Sequence, residues 1–71
     1  MADKDFLANI GNRIRQHRVR VNMTQNDLAI KCKFEKATMS RIESGKSNPT
    51  VRTLVKISNA LDIHVSELFT G

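Results

Sequence analysis

The chain is expected to be all-α, and three observations predict it. Glycine occurs three times and proline once in 71 residues. No stretch of four to eight residues alternates apolar with polar while being rich in Val, Ile or Thr, as a half-buried strand would. Apolar residues instead recur at spacings of three and four, the mark of a helix with one buried face. Five short helices follow from that pattern.

The first spans Asp3 to Val21, with Phe6, Leu7, Ile10, Ile14 and Val21 as its stripe, Arg13, Arg15 and Arg20 on its other face, and Asn22 as a residue that tolerates the left-handed stop. The second runs from Thr24 to about Cys32. Thr24 with Asp27 imitates a capping box, Met23 can staple from outside, and Leu28, Ala29 and Cys32 mark the buried side. After Lys33-Phe34-Glu35, a third helix covers Lys36 to Ser44, with Met39 and Ile42 apolar and Gly45 as its stop signal. Ser47-Asn48-Pro49 breaks the chain. Thr50 then caps a fourth helix bearing Val51, Leu54, Ile57 and Leu61 and ending near Asp62, and a last turn holds Val65, Leu68 and Phe69.

Twelve Lys and Arg against seven Asp and Glu give a net charge of +5, which favours an anionic partner. Only three aromatics occur, all Phe, so the stacking platforms of single-strand and RNA-loop binders are missing and duplex DNA is the better polymer. Cys32 alone cannot form an internal disulfide, and with His17 and His64 distant in sequence neither a metal site nor a cofactor is expected. A buried small hydrophobe is the expected role of Cys32. Apolar runs of two or three residues cannot span a bilayer, and the start, Met1-Ala2-Asp3-Lys4-Asp5, lacks an apolar signal core, so a cytoplasmic protein with no membrane partner is expected. There is no Ser/His/Asp order, Gly-rich phosphate loop or meaningfully spaced carboxylate pair, and no enzyme is expected.

Five segments carry a resemblance: Thr24-Gln25-Asn26-Asp27-Leu28-Ala29, then Met39-Ser40-Arg41-Ile42-Glu43-Ser44-Gly45-Lys46, then Thr53-Leu54, Ala60-Leu61 and Ser66-Glu67-Leu68-Phe69. In this order and spacing the chain resembles the phage-repressor-like XRE/Cro family of helix-turn-helix proteins, over about residues 10–69 of a single domain spanning 1–71. The resemblance implies a lambda-repressor-like DNA-binding domain whose helix-turn-helix is formed by helices 2 and 3. Lys33 and Asp62 stand where the family often has Gly, and a left-handed non-Gly residue costs about 1 kcal/mol, less for Asp. His64 stands where Ser, Thr or Asp commonly caps the last helix, so that element is expected to fray or start elsewhere.

A helix about 10–12 Å across fits the major groove, and the resemblance implies that the third helix lies there while the second spans the backbone. At about 100° per residue, Met39, Ile42 and Glu43 point inward, Lys36, Ala37, Ser40, Arg41 and Ser44 outward, with Thr38 on the flank. Lys36, Ala37, Ser40 and Arg41 are the expected base readers: Arg41 can donate two hydrogen bonds to guanine, Lys36 can reach guanine or phosphate, and the Ala37 methyl can pack on a thymine methyl. The competing reading of Lys36 and Ser40 is a solvated helix face. Gln25, at the first turn of the second helix, and Thr38 are expected at the DNA backbone, as are Lys46, Asn48 and Arg52, where family members grip it, although a charged loop is also commonly just wet. The resemblance makes Arg18 and Glu43 an ion pair bracing the reading helix, against the alternative of two separate surface charges.

One helix reads only about four to six base pairs, so a homodimer on a pseudo-palindromic operator is expected. Taken as a whole protein with no effector domain after Gly71, the chain would be expected to resemble Cro-like repressors, restriction-modification controllers or autorepressing antitoxins. The seven acidic residues are scattered and form no polymerase-facing cluster, which favours repression over activation. The rival reading is an interaction module whose partner is a protein, a toxin or polymerase, with Phe6, Leu7 and Phe69 as its apolar patch or as the dimer seam.

Overall fold

The computed structural model describes residues 3–69; Met1, Ala2, Thr70 and Gly71, the ends of the expected 1–71 domain, lie outside the described residues. Four α-helices follow one another, α1 Asp3–Arg20, α2 Gln25–Cys32, α3 Lys36–Glu43 and α4 Val51–Ala60, and Val65–Leu68 forms a closing 3-10 turn. No strand occurs among the described residues. The expected fifth helix is thus a single turn, because only four residues separate His64 from Phe69.

Each helix is ended by the same device. Asn22 (φ 59°), Lys33 (φ 60°), Gly45 (φ 77°) and Asp62 (φ 58°) all adopt the left-handed conformation. In every case its N–H donates to the carbonyl three residues back, and the next residue's N–H to the carbonyl five back. The pairs are Asn22 to Val19 with Met23 to Arg18, Lys33 to Ile30 with Phe34 to Ala29, Gly45 to Ile42 with Lys46 to Arg41, and Asp62 to Asn59 with Ile63 to Ser58. This Schellman pattern satisfies carbonyls that a helix end leaves open, and three of the four instances use a residue other than glycine.

The beginnings are capped as well. The Asp27 N–H donates to Thr24 Oγ1 at 3.0 Å while the Thr24 N–H donates to Asp27 Oδ2 at 2.9 Å, closing a reciprocal box at α2. The Thr53 N–H donates to Thr50 Oγ1 at 3.1 Å at α4. At the closing turn the Ser66 N–H donates to His64 Nδ1 at 3.2 Å, and Glu67 Oε2 accepts from the His64 N–H at 3.3 Å. The imidazole therefore takes the capping role that the expectation of fraying at His64 denied it.

α2 packs on α3 and α4, α1 crosses α2, α3 and the closing turn, and the closing turn rests on α4. Their shared core is Ile10, Ile14, Leu28, Ala29, Cys32, Met39, Ile42, Leu54, Ile57, Leu61 and Leu68, each large side chain contributing about 1.5–3 kcal/mol by leaving water. Cys32 is buried there with its thiol donating to the Lys56 carbonyl at 3.9 Å, and desolvation pushes its pKa up. Four residues assigned to the apolar stripes are not in the core: Leu7 is half-buried, and Phe6, Val21 and Val51 are exposed, Val51 to 68%. They sit near helix ends. Phe6 instead stacks on Phe69 at the surface, centroids 6.4 Å apart and planes 12° from parallel.

Two glycines set the approach of α1 to the end of α3. A Cβ on Gly11 would collide with the Glu43 carbonyl oxygen and lie 2.6 Å from that of Ile42; one on Gly45 would lie 2.8 Å from Ala8 Cα. Gly11→Ala should therefore destabilise the protein by about 2 kcal/mol, overpacking outweighing the roughly 1 kcal/mol that alanine brings to an ordinary helix site. A thermal melt checks this, and an unchanged or raised Tm would refute the close approach.

The Thr24 backbone N–H, then the Thr24 hydroxyl, hold the Asp27 carboxyl below its ordinary value of 3.8. A group depressed on folding adds stability above its unfolded pKa and loses it as pH falls through the lower folded value. Asp27→Asn is expected to flatten the acid limb of the stability curve below about pH 4, measured by urea unfolding across pH; an unaltered limb would deny Asp27 that part.

Candidate nucleic-acid interface

α3 is divided by its packing. Met39, Ile42 and Glu43 are buried, whereas Lys36, Ala37, Ser40, Arg41 and Ser44 are exposed and Thr38 is half-buried on the flank. The helix has no side-chain cap at Glu35, and its far end is closed by the Gly45 turn, with Ser44 Oγ donating to the Arg41 carbonyl at 3.1 Å. The exposed face thus presents a guanidinium, an ammonium, a hydroxyl and a methyl on a rigid rod anchored from behind.

The anchor is Glu43. Its side chain is 1% exposed, and Oε2 accepts from Arg18 Nε at 2.8 Å while Oε1 accepts from Arg18 Nη2 at 3.1 Å. Arg18, 13% exposed, spends its remaining Nη1 on the Met23 carbonyl at 2.8 Å, fixing the turn between α1 and α2. Gln25 Nε2 also donates to Glu43 Oε1 at 3.2 Å, and Arg15 Nε stands 3.8 Å from the same oxygen. A bidentate guanidinium with supporting donors is the arrangement that a desolvated carboxylate requires.

Among the residues expected at the DNA backbone, Lys46, Asn48 and Arg52 are exposed along the loop and the first turn of α4. Gln25 is half-buried, with its amide turned toward Glu43 rather than outward. Reasoning from sequence missed both this link and Arg15, which was assigned to the open face of α1. The available signal was spacing: Arg15 precedes Arg18 by three residues, so one carboxylate can meet both. His17, with no role assigned, is half-buried.

No helix among the described residues is long and apolar enough to cross a membrane, and among them no group of three metal-ligating side chains converges.

Two abutting helices are joined by a left-handed turn, the second exposing a basic and polar face, and the chain matches the helix-turn-helix family model over residues 14–68. The chain belongs to the XRE-type helix-turn-helix family of DNA-binding transcriptional regulators. An uncharacterized HTH-type transcriptional regulator of Archaeoglobus fulgidus is 37% identical over 57 residues, covering 80% of this chain and 81% of the relative. The restriction-modification controller protein C.AhdI from Aeromonas hydrophila superposes with a TM-score of 0.86 at 30% identity, covering 89% of this chain and 96% of that one. SinR, a master regulator for biofilm formation crystallised in complex with DNA, gives a TM-score of 0.79 at 35% identity, covering 86% and 98%.

The ion pair has a measurable signature. Glu43→Ala strands a largely buried Arg18 and should cost about 3 kcal/mol, well above Glu35→Ala at an exposed site. Adding Arg18→Ala should recover part of that loss in a double-mutant cycle followed by chemical denaturation. Strictly additive losses would dissolve the pair as an energetic unit.

Proposed function

We propose that the protein is a cytoplasmic repressor that binds a pseudo-palindromic operator as a homodimer, each protomer laying the outer face of α3 in the major groove. The observation that carries this reading is the clean division of α3: every side chain assigned to base edges, Lys36, Ala37, Ser40 and Arg41, is exposed, while its back is buried and braced by Arg18. SinR, similar over nearly its whole structure, was crystallised on DNA, and the controller protein C.AhdI supports a regulator of comparable size. Arg41 donates to a guanine edge, Lys36 to guanine or phosphate, and Ala37 packs on a thymine methyl. Gln25, Thr38, Lys46, Asn48 and Arg52 hold the phosphates. Two half-sites about 34 Å apart give the length of sequence that one short helix cannot read.

A second reading, an interaction module whose main partner is a protein, is favoured by one observation, the exposed Phe6–Phe69 stack beside half-buried Leu7. The same patch serves equally as a two-fold seam. A module of that kind shifts no duplex at low salt, which separates the two readings.

An operator selected from random duplex provides the test. With roughly six phosphates neutralised, log affinity against log salt should slope near about −5. Arg41→Ala should weaken the selected operator by about 1–3 kcal/mol per half-site and relax preference at one base position, leaving scrambled duplex nearly unaffected. Equal loss on both duplexes would move Arg41 to the backbone, and salt-independent binding would end the DNA reading.

A further inference from the structure

Glu43 Oε1 is approached by more donors than it can hold at good distance. Arg18 Nη2 and Gln25 Nε2 occupy it at 3.1 and 3.2 Å, and Arg15 Nε waits at 3.8 Å without a hydrogen bond. Arg18 is enclosed and committed on three sides, to both carboxylate oxygens and to the Met23 carbonyl, so it is the fixed partner. Arg15 is 54% exposed and free to move. Gln25 lies between these cases, half-buried, its amide reaching a carboxylate that is itself 1% exposed. An amide pointed at so deep an atom is directed into the body of the protein, not toward an approaching phosphate.

We propose that Arg15 is a positioning residue that exchanges with Gln25 on Glu43 Oε1: when the Gln25 amide swings out to a DNA phosphate, the Arg15 guanidinium closes the remaining gap and takes the vacated oxygen. The inference rests on the proposed DNA-binding function, which supplies the phosphate. Its chemistry follows from burial. A desolvated carboxylate oxygen that loses a donor with no replacement opposes whatever motion removed it, and that opposition would be subtracted from the phosphate contact. Water cannot substitute freely at a site this closed. Arg15 can, because it needs to travel only from 3.8 Å to ordinary hydrogen-bond distance, and it brings a full positive charge where Gln25 brought a dipole. Gln25 is thereby able to serve the fold in the free protein and the phosphate in the complex. The Arg18–Glu43 pair stays intact in both states, so α3 does not move during the exchange.

The test is a double-mutant cycle read in DNA affinity, with a DNA-free arm. Arg15→Ala should weaken binding to every duplex by about fivefold per half-site, the weight of one ordinary hydrogen bond. In the Gln25→Ala background the same substitution should have almost no effect, since no amide remains to be replaced. A bare electrostatic contribution of Arg15 predicts instead the same loss in both backgrounds and a flatter salt dependence, and either that result or no loss in the parent would overturn the exchange. Without DNA, a crystal structure of Gln25→Ala should show Arg15 Nε drawn in to about 3 Å from Glu43 Oε1; Arg15 still standing off in that variant would overturn it too. If the parent protein shifts no duplex, the proposed function falls, and the exchange is then decided by the DNA-free structure alone.

Discussion

A carboxylate whose side chain is 1% exposed must be met by donors on every open lone pair, and Glu43 is met from two helices at once. Arg18 comes from α1 and Gln25 from the start of α2, while Glu43 is the last residue of α3. Apolar burial alone is non-directional and would allow the three helices to slide. Hydrogen bonds of 2.8–3.2 Å to one carboxylate do not allow it. The glycines act in concert with this tie, because α1 can bring Arg18 to Glu43 only where Gly11 lets its backbone close on the Ile42 and Glu43 carbonyls. Charge, close approach and turn geometry therefore converge on the end of α3, which is the end from which its exposed face is aimed.

The helices themselves are short, eight residues each in α2 and α3, too short to persist on propensity. Their ends compensate. Reciprocal capping at Thr24 and Asp27 and the Schellman closures at Asn22, Lys33, Gly45 and Asp62 leave few end groups to water. Three of these closures use non-glycine residues; Asn22 and Asp62 tolerate the left-handed region, whereas Lys33 holds it at about 1 kcal/mol, so that closure is maintained against its local strain.

Much of this was legible in the letters, for identifiable reasons. Local hydrogen bonding is written locally, so Thr24 with Asp27 announced its box and Gly45 its turn. Helical periodicity separated the inner Met39, Ile42 and Glu43 from the outer residues of α3, because one helix face is a property of spacing alone. Lys33 and Asp62 became visible as left-handed positions only through the family resemblance. Periodicity does not say how far the core extends, and the core takes in none of Phe6, Leu7, Val21 and Val51, although all four belong to the apolar stripes. Nor does it pair side chains across the fold: the bond from Gln25 to Glu43, the approach of Arg15 and the stack of Phe6 on Phe69 join residues whose proximity exists only after the helices pack. His64 was misjudged because residue type, not the ring nitrogen it exposes, set the expectation.

The division of α3 has a consequence for how such a chain can diverge. Its inner residues, with Arg18 and Gly11, determine whether the helix is held; Lys36, Ala37, Ser40 and Arg41 bury nothing that the fold requires. Under the proposed function, folding and recognition fall to non-overlapping sets of side chains on one eight-residue helix. Exchanging the outer set leaves core volume and buried charge balance unchanged, so under that reading a lineage would acquire a new target in single steps, each passing through a folded protein, with no compensating mutation in the interior.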